Sequence, residues 1–263
     1  MTGYRRYFNP QRYFIVSLDQ RGCGRSRPNV ADDVTSLKSN TTSILIQDLE
    51  ALRSFLKVEK WLVAGMSWGT TLAIAYAVAH PSRVQRLVLA AVTTTTREEV
   101  EWITEGVRIY FPDAWHRFSA ASGAQVGERL VDAYYRRITS ADADDRARAA
   151  RSWCEWEDSH VALDPNFVSD PQFADPRFRD PRFRLQFATL VTHYRKHAAF
   201  LSPLTVLPRV PATLIHGGLD VSSPSSVPRE LHARWPESEL FLVEDEGHVG
   251  EKMIAKFMES IAR

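Results

Sequence analysis

The chain has 263 residues, of which 44% are hydrophobic and 25% charged, a composition typical of a packed globular protein rather than a disordered one. Lys and Arg number 33 against 32 Asp and Glu, so a formal charge of +1 provides no net attraction to nucleic acid or to an anionic membrane. Only two cysteines are present, Cys23 and Cys154, which excludes a disulfide scaffold and a four-cysteine zinc site.

The chain also lacks the apolar segments that direct a protein to or across a membrane. No apolar run approaches the roughly 20 residues that a membrane span requires. The first residues, MTGYRRYFNPQRYF, contain no apolar stretch of the kind found in secretory signals. We therefore expect a soluble, cytoplasmic protein with neither a membrane nor a nucleic acid as partner.

The first third of the chain alternates between short apolar runs and helical spacing. The predicted elements, in chain order, are a strand at 13–18 (YFIVSL), a helix at 43–56, a strand at 61–64 (WLVA), a helix at 70–79 and a strand at 86–92 (RLVLAAV). The second helix ends at His80-Pro81, because proline cannot continue a helix. Strand, helix and strand at this spacing predict a right-handed crossover in a parallel sheet.

Residues 93–208 differ from what precedes them. They are rich in Arg, Asp, Trp and Phe, contain helical stretches such as 127–138, and show no clear strand. A short Asp-Pro-x-Phe pattern repeats at Asp164, Asp170, Asp175 and Asp180, and Asp-Pro typically starts turns. We expect an irregular, turn-rich loop there; the role of the repeats is not set by the sequence.

The strand pattern returns after Pro211. Strands are predicted at 212–215 (ATLI) and 240–243 (LFLV), followed by a helix at 249–262. The sequence therefore predicts the α/β class: a parallel-sheet core formed by 1–92 and 209–263, flanked by helices and interrupted by a mostly helical cap at 93–208.

The strongest local motif is Gly65-Met66-Ser67-Trp68-Gly69, a G-x-S-x-G between a predicted strand and a predicted helix. A bare G-x-S-x-G is often only a flexible turn, but this placement favours a nucleophilic serine on a tight turn. We expect both flanking glycines to be needed because side chains there would collide. The start of the helix would then favour negative charge developing beside Ser67.

A nucleophilic serine needs a base and an orienting acid, which in this kind of sheet follow in the order acid, then histidine. Asp220 follows the strand ATLI, and His248 follows the strand LFLV. Both are therefore expected at the same edge of the sheet as Ser67. Asp245 and Glu246 are rival acids, but they lie in the loop of His248 itself, so Asp220 is the better candidate.

In the expected reaction, His248 takes the Ser67 proton, Asp220 orients the imidazole, and an acyl-enzyme forms and is hydrolysed. The backbone N–H of Trp68 would stabilise the oxyanion. A second donor normally comes from a loop after an earlier strand, and Gly3 is a weak candidate for it.

Other chemically suggestive residues favour structural roles. His193 and His197 share a helix face without an acidic third ligand, so packing is favoured over metal binding. Cys23 has no histidine in its loop and is expected to be a structural thiol. His216, at the end of ATLI, is expected to pack or to hydrogen-bond near the sheet edge. No cofactor or metal motif is present.

Longer stretches of the chain resemble the proline iminopeptidases of the α/β-hydrolase superfamily. They are RRYFNPQRYFIVSLDQRGCGRSRP, WLVAGMSWGTTLAIAYAVAHPSRVQRLVL, SWCEWED, HGGLDVSSP and DEGHVG. The resemblance implies an α/β-hydrolase core with a helical cap and release of N-terminal proline from a small peptide or amide. It places the Ser-Asp-His triad on Ser67, Asp220 and His248.

The resemblance also implies two departures. The family has an HGGPG-type loop upstream of the segment matching RRYF, so we expect a chain without that oxyanion loop and without the strands before it. The family also reads the substrate amine with two cap carboxylates. Glu157, which directly follows Trp156 and lies four residues after Trp153, matches one of them, and the two tryptophans would form an aromatic pocket for the amine. Val191 stands at the place of the other carboxylate. Glu155 and Asp158 are nearby acids that could compensate.

Two alternatives stay open at this point. Val191 favours an esterase or amidase of the same fold that does not require a free amine. The expected loss of the oxyanion loop favours a non-catalytic fragment. The oligomeric state and the exact substrate are not set by the sequence.

Overall fold

A computed structural model describes residues 5–161, 175–202 and 206–263. The chain divides into two compact units. Within the described residues, the sheet unit comprises 5–20, 42–94, 201–202 and 206–263, and the helical unit comprises 21–41, 95–161 and 175–200. The expected boundary assigned 21–41 to the core, whereas in the structure this segment belongs to the helical unit.

The helices, in chain order, are as follows: α1 (Thr42–Phe55), α2 (Trp68–Ala79), α3 (Arg97–Thr104), α4 (Pro112–Ser122), α5 (Leu130–Ile138), α6 (Ala143–Val161), α7 (Pro181–Lys196), α8 (Ser226–Ala233) and α9 (Glu251–Ala262). Helix α8 was not predicted. Among the described residues, no helix is both long enough and apolar enough to cross a membrane.

In the part of the chain that the structure describes, four parallel strands form the sheet of the sheet unit, in the order β1 (Trp61–Met66), β2 (Val84–Ala90), β3 (Ala212–Gly217) and β4 (Ser238–Val243). Spatial order follows chain order, so the carboxyl ends of all four strands lie at one edge. Residues 91–211 separate β2 from β3, yet Ala90 pairs with Ile215 in the middle of the sheet.

The two faces of the sheet pack against different helices, which explains the nearly continuous apolar runs of the central strands. On one face, buried residues such as Leu87, Leu89 and Leu214 pack with the apolar side of α2. On the other face, Val88 and Ile215 pack with Phe257 and its neighbours on α9. Burial on both faces fixes the strand ends from which the site is built.

The predicted strand at 13–18 is wrong. Residues 13–20 form no sheet ladder, and β1 pairs only with β2 among the described residues. Tyr13 instead packs against the core cluster next to α9 and donates to the Ile261 carbonyl at 2.5 Å, whereas Phe14 is 77% exposed. The apolar pattern was correct for a strand, but a strand also needs a partner for its backbone, which periodicity does not supply.

The helical unit holds α3–α7 together with residues 21–41. Segment 21–41 is fixed to α7 by hydrogen bonds: Asn29 Nδ2 donates to Gln186 Oε1 at 2.7 Å, and Tyr194 OH donates to Asn40 Oδ1 at 2.5 Å. These contacts, far apart in sequence, explain why composition alone placed the boundary differently.

The Asp-Pro-x-Phe copies at Asp164 and Asp170 lie outside the described residues. The other two copies begin helices rather than an irregular loop. Asp175 accepts from Arg177 N at the start of a 3₁₀ helix, Pro176–Arg179, and Asp180 accepts from Arg182 N at the start of α7, each at 2.9 Å. An aspartate cap followed by proline in the first turn is a favourable helix start.

Candidate active site

Ser67 lies between β1 and α2 in a strained backbone conformation. Its φ is 51° and its ψ −125°, a combination that a residue with a Cβ rarely adopts. The Ser67 N–H donates to the Ala90 carbonyl at 3.0 Å, which ties the turn to the end of β2. The turn therefore holds the Ser67 side chain at the carboxyl edge of the sheet, beside the start of α2.

Only one of the two flanking glycines is needed for steric reasons. A Cβ at Gly65 would lie 2.4 Å from the Gly69 carbonyl oxygen, a contact that real structures do not tolerate. A Cβ at Gly69 would meet nothing within 4 Å. The expectation that both glycines prevent collisions is therefore wrong for Gly69, because that residue already lies in the first turn of α2.

The structure brings Ser67, His248 and Asp220 into one hydrogen-bonded line. His248 Nε2 lies 3.0 Å from Ser67 Oγ, and His248 Nδ1 lies 2.8 Å from Asp220 Oδ2. Asp220 lies in the loop after β3 and His248 in the loop after β4, so the parallel strands deliver all three side chains to one edge. All three residues belong to the sheet unit.

Asp220 is buried and held by its own loop. Its Oδ1 accepts from the Ser222 N–H at 2.9 Å and from the Ser223 N–H at 3.1 Å, which leaves Oδ2 facing His248. Burial raises the pKa of Asp220, but the charge and hydrogen bond of His248 outweigh it, and the pKa lies below its ordinary value. The carboxylate is therefore ionised at neutral pH.

The rival acids have other partners. Asp245 is exposed and pairs with the Lys252 ammonium. Glu246 is buried and accepts from the backbone N–H groups of Lys252 and Met253 at 2.7 and 2.8 Å, so it caps the start of α9. Neither carboxylate bonds to His248.

Trp68 begins α2 directly after Ser67, so its backbone N–H lies at the positive end of the helix dipole. Its indole Nε1 donates to Gln20 Oε1 at 3.1 Å. Gly3, the weak candidate for a second oxyanion donor, lies outside the described residues.

Glu157, on α6 in the helical unit, forms an ion pair within the protein. Its Oε1 accepts from Arg195 Nη1 at 2.5 Å and from the Trp153 indole at 2.9 Å. Burial raises the pKa of Glu157, but the neighbouring Arg195 charge, together with smaller effects, outweighs burial, and the pKa lies below its ordinary value, so the carboxylate stays ionised. Sequence reasoning missed Arg195, although it lies one turn beyond the half-buried Val191 on α7.

The two tryptophans beside Glu157 belong to the core of the helical unit. Trp153 and Trp156 are almost completely buried, and Trp156 stacks on Phe118 with ring centroids 4.9 Å apart. The nearby acids are also partnered: Glu155 pairs with Arg151 at 2.8 Å, and Asp158 accepts from the Asp175 N–H at 3.2 Å.

His193, His197, His216 and Cys154 have packing or hydrogen-bond contacts within the protein. His193 Nε2 bonds to the Asn40 carbonyl at 2.7 Å, and burial lowers the pKa of His193 to about 4. His197 stacks on Phe200. Burial raises the pKa of the Cys154 thiol. His216 is fully buried and lies beside Asp220, a neighbour that its position four residues earlier in the chain could have suggested.

Comparison with known proteins agrees with the fold. A sequence model of the family described as the alpha/beta hydrolase fold matches residues 5–250. Among solved structures, an α/β fold family hydrolase from Bacillus anthracis superposes with a TM-score of 0.57 at 17% identity, covering 93% of this chain and 79% of that one. At that identity the likeness shows the fold alone.

Closer relatives share sequence over nearly the whole chain. A protein of Streptomyces coelicolor named probable proline iminopeptidase is 40% identical over 94% of this chain and 77% of its own length. The proline iminopeptidase of Xylella fastidiosa is 37% identical, over 93% and 77%. The Arabidopsis thaliana proline iminopeptidase is 38% identical over 93% of this chain, which spans 64% of that protein. The chain therefore belongs to the α/β hydrolase fold family and, within it, to the proline iminopeptidases.

Proposed function

We propose that this chain is a serine hydrolase that releases N-terminal proline from peptides, with Ser67 as nucleophile, His248 as general base and Asp220 as orienting acid. The observation that carries the proposal is the continuous line from Ser67 Oγ through His248 to Asp220, at 3.0 and 2.8 Å. Hydrogen-bond distances of this size are those of a working nucleophile and base. The prolyl substrate is taken from the relatives' names.

The first half of the reaction forms an acyl-enzyme. His248 Nε2 accepts the hydroxyl proton as Ser67 Oγ attacks the carbonyl carbon of the N-terminal prolyl residue. The resulting oxyanion is stabilised by the Trp68 backbone N–H and by the dipole of α2. The C–N bond then breaks, and His248 gives the proton to the departing amine.

The second half regenerates the enzyme. Water gives a proton to His248 as its oxygen attacks the prolyl ester, the ester bond breaks, and Ser67 recovers its proton from the imidazolium. Throughout, the Asp220 carboxylate accepts from His248 Nδ1 and stabilises the positive charge that forms twice on the ring. Because Asp220 is ionised at neutral pH, no proton has to leave it.

Ser67→Ala tests the nucleophile directly. We expect it to abolish turnover of a prolyl anilide and labelling by a fluorophosphonate, because both reactions need the Ser67 hydroxyl. Ser43→Ala, on the exposed side of α1, is the matched control and should retain wild-type turnover. Undiminished turnover in Ser67→Ala would contradict the triad assignment.

The fluorophosphonate probe also separates an enzyme from a non-catalytic fragment. Stoichiometric labelling of the wild-type chain at Ser67 supports the serine hydrolase, since an unactivated serine reacts negligibly with such probes. A wild-type chain that is folded but takes up no probe would instead favour the fragment.

A second candidate function is supported by the helical unit: hydrolysis of esters or amides without a free-amine requirement. The Glu157 carboxylate, the candidate amine receptor, already binds the Arg195 guanidinium. A substrate ammonium would have to displace that half-buried partner and leave its guanidinium unpaired. Val191, one turn before Arg195 on α7, supplies no second carboxylate.

Comparing kcat/KM for a prolyl anilide whose amine is free with kcat/KM for the same anilide with an acetylated amine distinguishes the two functions. A preference for the free amine supports the aminopeptidase, and equal kcat/KM values support the second candidate.

Arg195→Met exposes the Glu157 carboxylate, so if Glu157 binds the substrate amine, KM for the free-amine substrate should fall while labelling of Ser67 stays unchanged. A KM that does not respond argues against a role of Glu157 in binding.

A further inference from the structure

His216 is a fully buried histidine that takes no part in the steps described above. It is the fifth residue of β3, and both of its ring nitrogens bond to backbone groups. The Val92 N–H donates to Nδ1 at 2.9 Å, and Nε2 lies 2.7 Å from the Ser223 carbonyl oxygen. Since an N–H group faces Nδ1, the ring proton is on Nε2, where it is donated to Ser223.

Ser223 closes this arrangement into a ring. Its hydroxyl donates to the Val92 carbonyl at 2.8 Å. The segment after β2, the end of β3 and the loop after β3 are thus joined by three hydrogen bonds among Val92, His216 and Ser223, which we call the clasp. All three residues lie in the sheet unit.

The clasp bears directly on Asp220. The Ser223 N–H donates to Asp220 Oδ1, so the residue that His216 holds also holds the carboxylate. His216 Nε2 is 3.6 Å from Asp220 Oδ2, the oxygen that faces His248. That distance is too long for a hydrogen bond, so His216 acts on Asp220 through Ser223.

We propose that His216 is a positioning residue: through the clasp it fixes the loop of Asp220 so that Oδ2 meets His248 Nδ1 in the geometry of the triad. This inference rests on the proposed role of Asp220. The need is physical, because an orienting acid in a flexible loop would leave the imidazole free to turn away from Ser67, and small misplacements of catalytic groups cost large factors in rate.

His216→Asn and His216→Gln separate positioning from mere packing. The asparagine oxygen keeps the acceptor for the Val92 N–H but cannot reach Ser223, so we expect kcat for a prolyl anilide to fall about 10–100-fold, the loss typical when a residue that orients a metal ligand is removed. KM should stay within about twofold. Glutamine carries its amide to the position of Nε2 and should keep kcat within about fivefold of wild type.

His232→Asn is the matched control, because His232 bonds the Ser238 hydroxyl instead of the Asp220 loop. Its kcat should be unchanged. Fluorophosphonate labelling of Ser67 should slow in His216→Asn by the same factor as kcat, since it depends on the same base. Wild-type kcat in folded His216→Asn, or equal losses in the asparagine and glutamine variants, would overturn the proposal.

If His216→Asn does not fold, Ser223→Ala tests whether the clasp positions Asp220. It removes only the hydroxyl bond to Val92, and we expect kcat to fall about threefold to tenfold with KM unchanged. Unchanged kcat would overturn the proposal. A failure of the proposed function is seen separately, as turnover that survives Ser67→Ala whatever happens at His216.

Discussion

Ser67 keeps a positive φ that costs about 1–3 kcal/mol for a residue other than glycine. The conformation persists because the surrounding structure fixes it. The N–H of Ser67 is bonded to β2, and helix α2 begins at the next residue. In this strained conformation the Ser67 hydroxyl lies 3.0 Å from His248 Nε2, so the backbone distortion places the serine where the proposed reaction needs it.

Asp220→Asn is expected to lower kcat about 10⁴-fold with little change in KM, because an amide cannot fix the tautomer of His248 that accepts the serine proton. Steady-state kinetics with a prolyl anilide measures the loss. Asp245→Asn, in the loop of His248 itself, is the matched control and should be nearly neutral, since its carboxylate pairs with Lys252 at the surface. Comparable losses in the two variants would contradict the assignment of the acid.

At the scale of elements, the turn between β1 and α2 depends on one glycine. Gly65→Ala places a Cβ 2.4 Å from the Gly69 carbonyl oxygen, so the turn must shift, and we expect about 1–3 kcal/mol of lost stability together with slower labelling of Ser67. Gly69→Ala has open space and lies in a helix, where alanine is favoured by about 1 kcal/mol.

Chemical denaturation of these two glycine variants supplies the comparison. The free energy of unfolding should fall in Gly65→Ala and stay level or rise in Gly69→Ala. Equal free energies of unfolding in the two variants would show that the turn accommodates a Cβ at position 65 without loss of stability.

Helices α1 and α2 are joined by a polar network around Glu50. Its carboxylate accepts from Arg53 Nε and Nη2 at 2.9 and 3.0 Å and from Tyr76 OH at 2.5 Å. The hydrogen bonds from Arg53 lower the pKa of Glu50, and the hydrogen bond from Tyr76 lowers it too. Together they outweigh burial, which raises it, and the pKa falls from 4.5 to about 2. The ionised carboxylate thus stabilises the folded state above pH 4.5, and this contribution is lost as the pH falls to about 2.

Glu50→Gln is therefore expected to lower the free energy of unfolding by about 1–3 kcal/mol at pH 7 and to flatten its decline between pH 4.5 and pH 2. Urea denaturation across that range measures both effects. Glu59→Gln, at an exposed position, is the control and should leave the decline of the free energy of unfolding between pH 4.5 and pH 2 unchanged. If the free energy of unfolding falls as steeply with pH in Glu50→Gln as in wild type, Glu50 is not the cause of that decline.

At the scale of the whole molecule, the sequence predicted the features that depend on local pattern. The four strands of the sheet and the turn at Ser67 follow from apolar runs and from one motif, and the strand ends then place Asp220 and His248. Contacts between distant segments could not be predicted in this way. The Glu157–Arg195 pair, the clasp at His216 and the placement of 21–41 each join residues whose proximity only the folded chain defines.

The insertion between β2 and β3 makes the pairing of these two strands a long-range step in folding. Each helix of the insertion is formed by contacts within one short segment, which form quickly, whereas the β2–β3 pairing must close a loop of residues 91–211. During synthesis, Ser67 leaves the ribosome long before Asp220 and His248, and the latter two lie on the last two strand ends. A nascent chain therefore holds Ser67 without the proposed base His248, and the proposed site is complete only when β4 has joined the sheet.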